Sequence, residues 1–357
     1  MRIPMHVVYT IFAIAALPAL GCTAATTSNE PATEQSQDAL SVYQWSPDQK
    51  AGDNNSYESA GIATMAGGGV MMVHTGDDEG GDADMYWSYS ASGLSWSDDV
   101  KIDKMETSSA PRLAGFNKQM YLVHTGVADK TSVWMSRLGA NSTGFLTWGQ
   151  DFILPYKSST SPAIAAYAGS LYIIGSTPGT GQLWVATMST SETFSAPTDI
   201  PKQFSYAAPG IASHLPAGAR NESLYIAYLP NKSAGIVTST LTIAKGSSGA
   251  WTAPAVVPNS MTKGANQQSL LQPALGSYNG VLHMIHTEPA LSDLIMWTYL
   301  DGTSWSTEVS LGTERMYSFA SLTPLKDRLV MVHTSSIGDH HSTFPDFNTA
   351  VYSEIFQ

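Results

Sequence analysis

The phrase Val70-Met-Met-Val-His-Thr75 decides the fold, because the chain repeats it. It returns as Met120-Tyr-Leu-Val-His-Thr125, Leu171-Tyr-Ile-Ile-Gly-Ser176, Leu224-Tyr-Ile-Ala-Tyr-Leu229, Leu282-His-Met-Ile-His-Thr287 and Leu329-Val-Met-Val-His-Thr334. Six copies stand about fifty residues apart, and self-similarity at that period marks a repeat architecture. Each copy is a short, β-rich apolar run of the kind that forms a strand buried on both faces.

Every copy sits in the same context. A strand opening on a small residue, often with Pro, precedes it, as in Ser109-Ala-Pro-Arg-Leu113 and Ser161-Pro-Ala-Ile164. A third strand with aromatics follows, at Met85-Tyr-Trp87, Val133-Trp134, Leu183-Trp184, Met296-Trp297 and Val351-Tyr352. A tight turn comes next, clearest at Asp301-Gly302, where a type I′ hairpin is expected. A fourth strand then carries Trp96, Trp148, Phe194, Trp251 or Trp305. Four strands in about fifty residues make the blade of a β-propeller.

The ends set the blade number. One period past Trp305 reaches the end of the chain, so the last repeat lacks its fourth strand. One period before Trp96 falls near Trp45, in Ser41-Val-Tyr-Gln-Trp-Ser-Pro47, which resembles Leu94-Ser-Trp-Ser97. The expectation is an all-β, six-bladed β-propeller over residues 40–357. Strand 40–47 would pair with strand 349–356 and close the ring, removing an open sheet edge.

Composition agrees. Charged residues are 13% of the chain and apolar residues 43%, which excludes a coiled coil and a disordered chain. A net charge of −12 speaks against a nucleic-acid partner. Residues 1–21 read as a signal peptide: Arg2, then an apolar run from Val7 to Leu20, too short for a membrane span, then small residues. Residues 22–39 read as a disordered linker. Ala19-Leu20-Gly21-Cys22 resembles a bacterial lipobox, so the single cysteine, Cys22, is a possible lipid anchor if the source is bacterial. Four sequons, at Asn54, Asn141, Asn221 and Asn231, lean instead toward a glycosylated, secreted protein. The expected location is extracellular, with no membrane span.

Loops after the second and fourth strands of each blade open on one face, so the shared His74, His124, His286 and His333 lie near it. They form either a ring of donors toward a ligand or a set of local backbone anchors. Gly175 and Tyr228 interrupt the ring. Arg112 opens an innermost strand near the channel mouth, where an unpaired guanidinium is a candidate anchor for an anionic or carbonyl oxygen, or else a bridge between blades. The blade-six loop Asp339-His-His341 should lie nearby, beside the acidic blade-one loop Asp77–Asp84. Neither matches an established calcium loop, and no metal or cofactor is expected. The candidate catalytic set is therefore Arg112, His333, Asp339, His340 and His341. Trp134, Trp184 and Trp297 in the third strands read first as core between blades, with stacking on a ligand as the alternative. The candidate binding set is His74, His124, His286 and Trp134.

No phosphate loop, paired zinc motif or nucleophile elbow appears. Sialidases share six blades, but they need an arginine trio. Only Arg112 and Arg315 fall near the expected functional face, while Arg137, Arg220 and Arg328 map to a third strand or to opposite loops. The Leu-Tyr-x-x-His-Thr strand and Asp-Gly-x-x-Trp hairpin resemble propeller lectins of the fucose-binding type. That resemblance implies a sugar clamp of Arg, Glu and Trp, which does not recur here blade by blade. The chain's organisation is also similar to secreted six-bladed fungal hetero-Diels–Alderases of tropolone-sesquiterpenoid pathways. That resemblance implies a cofactor-free coupling of a tropolone quinone methide to a humulene-type alkene. Such a step needs an apolar pocket for two reactants and a few hydrogen bonds to a polarised carbonyl. The partner is thus a hydrophobic small molecule or a glycan.

Overall fold

Runs of apolar residues on both faces of a strand are stable only between two other layers. Val70–Thr75 meets that condition, with every position buried. The computed structural model describes residues 44–356 apart from Tyr57, 77–82, Asn141, Thr143, 231–235, 243–248, 259–271, 288–293, 317–318 and 337–348. The signal peptide, the linker, Cys22, Asn141, Asn231, Asp339, His340 and His341 therefore lie outside the described residues.

Six antiparallel sheets make up the chain; in five the strands run in sequence order from the centre outward, and in the sixth the outermost strand comes from the start of the chain. The innermost strands are Gly61–Thr64, Arg112–Phe116, Ala163–Tyr167, Gly210–His214, Ala274–Tyr278 and Ser321–Leu325. They pack on one another around the centre of the ring. No helix occurs among the described residues. The fold is a six-bladed β-propeller.

Apolar clusters fill the spaces between blades. One joins blades two and three through Val123, Met135, Tyr156, Ile173 and Trp184. Others join one with two, and six with one. Trp184 is buried, its Nε1–H donating to the Lys157 carbonyl at 2.9 Å. Trp297 stacks on His283 at 6.0 Å.

Tight hairpins join the first strand to the second. In blades two, three and five the turn pairs are Asn117-Lys118 (φ 48° and 62°), Ala168-Gly169 (47° and 77°) and Asn279-Gly280 (49° and 77°). Two left-handed residues in a two-residue loop make the type I′ pattern, whose twist matches that of the strands. The expected turn at Asp301-Gly302 differs. Asp301 stays in the ladder opposite Ser304, so the central pair is Gly302-Thr303, with only Gly302 left-handed at φ 61°. That is the type II′ pattern; β-branched Thr303 resists a positive φ.

The outermost strand of each blade is interrupted. In blade two Leu146–Trp148 precedes Phe152–Lys157, and in blade five Ser304–Trp305 precedes Val309–Arg315. Just after the aromatic, one N–H donates to a third-strand carbonyl in all six blades. The donors are Ser46, Ser97, Gly149, Ser195, Thr252 and Ser306, at 2.8–2.9 Å. In five blades that residue's hydroxyl oxygen also accepts a third-strand N–H, for example Tyr299 N–H to Ser306 Oγ at 3.0 Å.

Blade six corrects the expected pairing. Its outermost strand is Gln49–Asn55, not 40–47, with Gln49 opposite Ser353 and Lys50 opposite Tyr352. Trp45 instead makes a single bridge to Phe356, as Phe194 does to Met188 in blade three. Residues 45–48 are thus blade six's copy of the interruption, and the strand begins after it. Residues 40–43 lie outside the described residues. Asn54, on this strand, and Asn221, exposed in a loop, are the two described sequons.

Candidate functional site

The repeated histidines are built into the blades. His74, His124, His286 and His333 are all buried. Nε2 of His74 lies 3.0 Å from Asp99, that of His124 3.0 Å from Asp151, and that of His286 2.6 Å from Glu308. In those three, Nδ1 faces the carbonyl of the following threonine at 2.9–3.3 Å. Each ring is thus engaged at both nitrogens within its own blade. Each acid stands three residues after the fourth-strand Trp, in the interruption described above. Where His is replaced, at Gly175 and Tyr228, the matching position holds Pro197 and Pro254. The signal was present in the sequence as Trp-x-x-acid, and reading the histidines alone missed it.

His333 differs. Its Nε2 reaches Asp48 at 2.8 Å and Glu354 at 3.4 Å, and the three side chains can each place a ligand atom within 4.8 Å of the others. Burial pulls the imidazole down, but hydrogen bonds and charge from Asp48 and Glu354 outweigh it and push it up to about 9.

Arg112 lines the channel with Gly61, Leu113, Gly210, Leu275 and Ser321, beside a cavity of only about 60 Å³. Its guanidinium carbon sits 3.7 Å from the centre of the Phe319 ring. Burial lowers it to about 9. Of the acidic blade-one loop, Asp84 is described: it is buried and ion-paired with Lys101.

Two larger clefts flank blade two. One, of about 950 Å³, lies against the outermost strand of blade one and is lined by Met105, His124, Val127, Trp134, Trp148 and Asp151. Trp134 is half-buried there, and His124 and Asp151 already hold each other. The other, of about 480 Å³, lies between blades two and three. Arg137 in the third strand of blade two ion-pairs with Glu192 from the hairpin of blade three. The Tyr121 hydroxyl donates to the same Glu192 oxygen at 2.9 Å. Burial and the Glu192 carboxylate push that phenol up to about 12. Glu192 itself is in the left-handed region at φ 58°, in a tight turn closed by its N–H donating to the Ser189 carbonyl at 3.0 Å. Phe152 and Phe194 meet edge to face at 6.0 Å on the wall. Reading blade by blade hid this group, because its members lie 55 and 71 residues apart. Of the six positions equivalent to Arg137, only that one holds arginine.

No protein-family model matches the chain, and no curated relative does. Solved structures do resemble it. One is AofleA from Arthrobotrys oligospora, with a TM-score of 0.58 and 8% identity over 88% of this chain and 86% of that one. Another is the GH93 α-L-arabinofuranosidase of Fusarium graminearum with arabinobiose, at 0.55 and 12% over 87% and 97%. A third is SapL1 lectin in complex with α-methyl fucoside, at 0.50 and 10% over 78% and 90%. At these identities the likeness shows the fold alone.

Proposed function

We propose that this propeller binds a carbohydrate at one site, the cleft between blades two and three. The observation that carries the reading is the Arg137–Glu192–Tyr121 group beside Phe152 and Phe194. A guanidinium donates and a carboxylate accepts, so the pair matches two neighbouring sugar hydroxyls. An aromatic wall suits the apolar C–H face of a pyranose or furanose ring. The two ions are about half exposed, so they are accessible and their pairing contributes little to folding. The similar folds seen with α-methyl fucoside and arabinobiose support sugar as the ligand class. Export to the cell exterior belongs to the same proposal.

The test is a glycan array that includes fucosides and arabinosides, run with the wild type, Arg137→Ala and Glu192→Gln. The wild type is expected to bind one sugar class. Each variant should lose ten- to a hundredfold in affinity, about 1.5–3 kcal/mol for a charged hydrogen bond. One site per chain should give no cell agglutination. Absent binding, or binding indifferent to both substitutions, overturns the reading.

A second reading rests on the cleft of about 950 Å³, whose size is that of a small-molecule site. A cofactor-free hetero-Diels–Alder coupling of a tropolone quinone methide with a humulene-type alkene would take place there, against Met105, Val127 and Trp134. The channel beside Arg112 is too small for two such reactants. Trp134→Ala should then change the product ratio, and an unchanged ratio with and without protein ends this reading.

A further inference from the structure

Two carboxylates converge on Nε2 of His333, Asp48 at 2.8 Å and Glu354 at 3.4 Å. A single N–H on that nitrogen serves Asp48 and gives no reason for Glu354 to approach the same atom. Glu354 is the unusual member. It stands opposite Met331, two residues before His333. The equivalent positions in blades one to five hold Ser88, Ser136, Ala186, Ser239 and Thr298, all small and buried. In blades two, four and five that hydroxyl donates to the carbonyl just after the fourth-strand Trp, at 2.8–3.0 Å. An ionised carboxylate cannot donate such a bond. Burying one completely, as at Glu354, is costly unless a cation meets it.

We propose that Asp48, His333 and Glu354 bind one divalent transition-metal ion, of the class of zinc. Their donor atoms all lie within 4.8 Å of one another. Zinc holds imidazole nitrogen and carboxylate oxygen at about 2.0–2.2 Å, which places neighbouring donors roughly 3.0–3.5 Å apart. The two contacts to Nε2 are already close to that spacing. An imidazolium balances one of the two carboxylates, whereas a divalent ion beside the neutral ring balances both. One imidazole with two carboxylates suits zinc or a similar first-row ion and leaves a further position for water. The ion takes the place of the Nε2 proton, so it needs no water-sized cavity. Its way in is at Asp48, whose side chain is 22% exposed while those of His333 and Glu354 are enclosed. In the metal-free chain the proton remains, and acid weakens binding. Asp48 and His333 stand 285 positions apart, so no ligand spacing in the sequence announces the site. It is separate from the cleft between blades two and three.

The experiment uses the full chain, untagged and stripped of metal with a chelator. Zinc chloride is titrated in by calorimetry near neutral pH, with excess magnesium present to cover surface carboxylates, and melts are run along the series. One equivalent of zinc should bind, and the Tm should rise along a saturating curve, as binding to the folded state requires. Glu354→Ser installs the residue that blades one, two and four carry, so it should fold. Its zinc affinity should fall about a hundredfold or more, since losing even a neighbour of a ligand costs ten- to a hundredfold. A wild type that neither binds zinc nor gains Tm, or a Glu354→Ser variant that binds as tightly, overturns the proposal. If that variant does not fold, crystals of the wild type soaked in zinc decide. An anomalous peak at the zinc edge among the three side chains supports the site, and its absence refutes it.

Discussion

His333 Nε2 and Asp48 Oδ1 stand 285 positions apart in the chain and meet at 2.8 Å. This contact ties the last blade's second strand to the segment that precedes the first blade. It is the same pairing that His124 makes with Asp151 inside blade two, where the partners are 27 residues apart. One local device, an acid three residues after an aromatic, therefore serves both as a blade brace and as a clasp between distant parts of the chain.

The brace should behave as a coupled unit. His124→Leu leaves Asp151, 15% exposed, without its ring partner and should cost about 2–3 kcal/mol. Adding Asp151→Asn removes the stranded charge, so the double variant should be less destabilised than the two single effects combined, by about 1 kcal/mol or more. Denaturant unfolding of the four proteins measures this, and strict additivity would show that the contact carries no coupling.

The clasp should make stability depend on pH. His333 is pushed up to about 9 in the folded chain, from an ordinary value of 6.5. The fold therefore holds this proton more tightly than the unfolded chain does. That stabilisation is complete below about 6.5 and is lost as pH rises through about 9. Asp48 moves the other way. Burial would raise it, but the His333 hydrogen bond and charge hold it below 3.8, so its share is lost only in acid. Between pH 6.5 and 9 the Tm should fall by a few degrees. His333→Gln should lower the Tm throughout and flatten that slope; an unchanged slope would assign the pH dependence elsewhere.

Truncation should separate the two parts of blade six's outer edge. Removing residues 1–43 should leave the Tm unchanged. Removing 1–48 also takes Asp48 and Trp45, whose ring packs on Phe356 at 5.4 Å, and should lower it by several degrees. Removing 1–55 exposes the edge of Thr349–Phe356 as well, and light scattering should then report association. Equal melts for the first two truncations would show that the Trp45–Asp48 segment contributes nothing.

Convergence at the channel should make Gly210 intolerant of substitution. A Cβ there would lie 2.3 Å from a backbone carbonyl that has no side-chain freedom with which to move. Gly210→Ala should cost about 2–3 kcal/mol, the scale of overpacking in a tight interior. Gly139, with nothing near its Cβ position, is the matched control and should be close to neutral as Ala.

Six blades, the order of strands within each, and the buried second strand can all be read from the amino acids alone, because period-two patterning and turn residues act over a few positions. The brace is legible there too, as Trp45-Ser-Pro-Asp48, Trp96-Ser-Asp-Asp99, Trp148-Gly-Gln-Asp151 and Trp305-Ser-Thr-Glu308, with proline in the last place where blades three and four lack the histidine. That blade six's outer strand begins at Gln49 emerges only from the folded chain, since an interruption and a strand look alike in a short polar segment. Folding also brings Arg137 to Glu192, which belong to different blades, and leaves the Arg112 guanidinium over Phe319. Those relations depend on how closely neighbouring sheets approach and which way long side chains turn, and no local pattern encodes either.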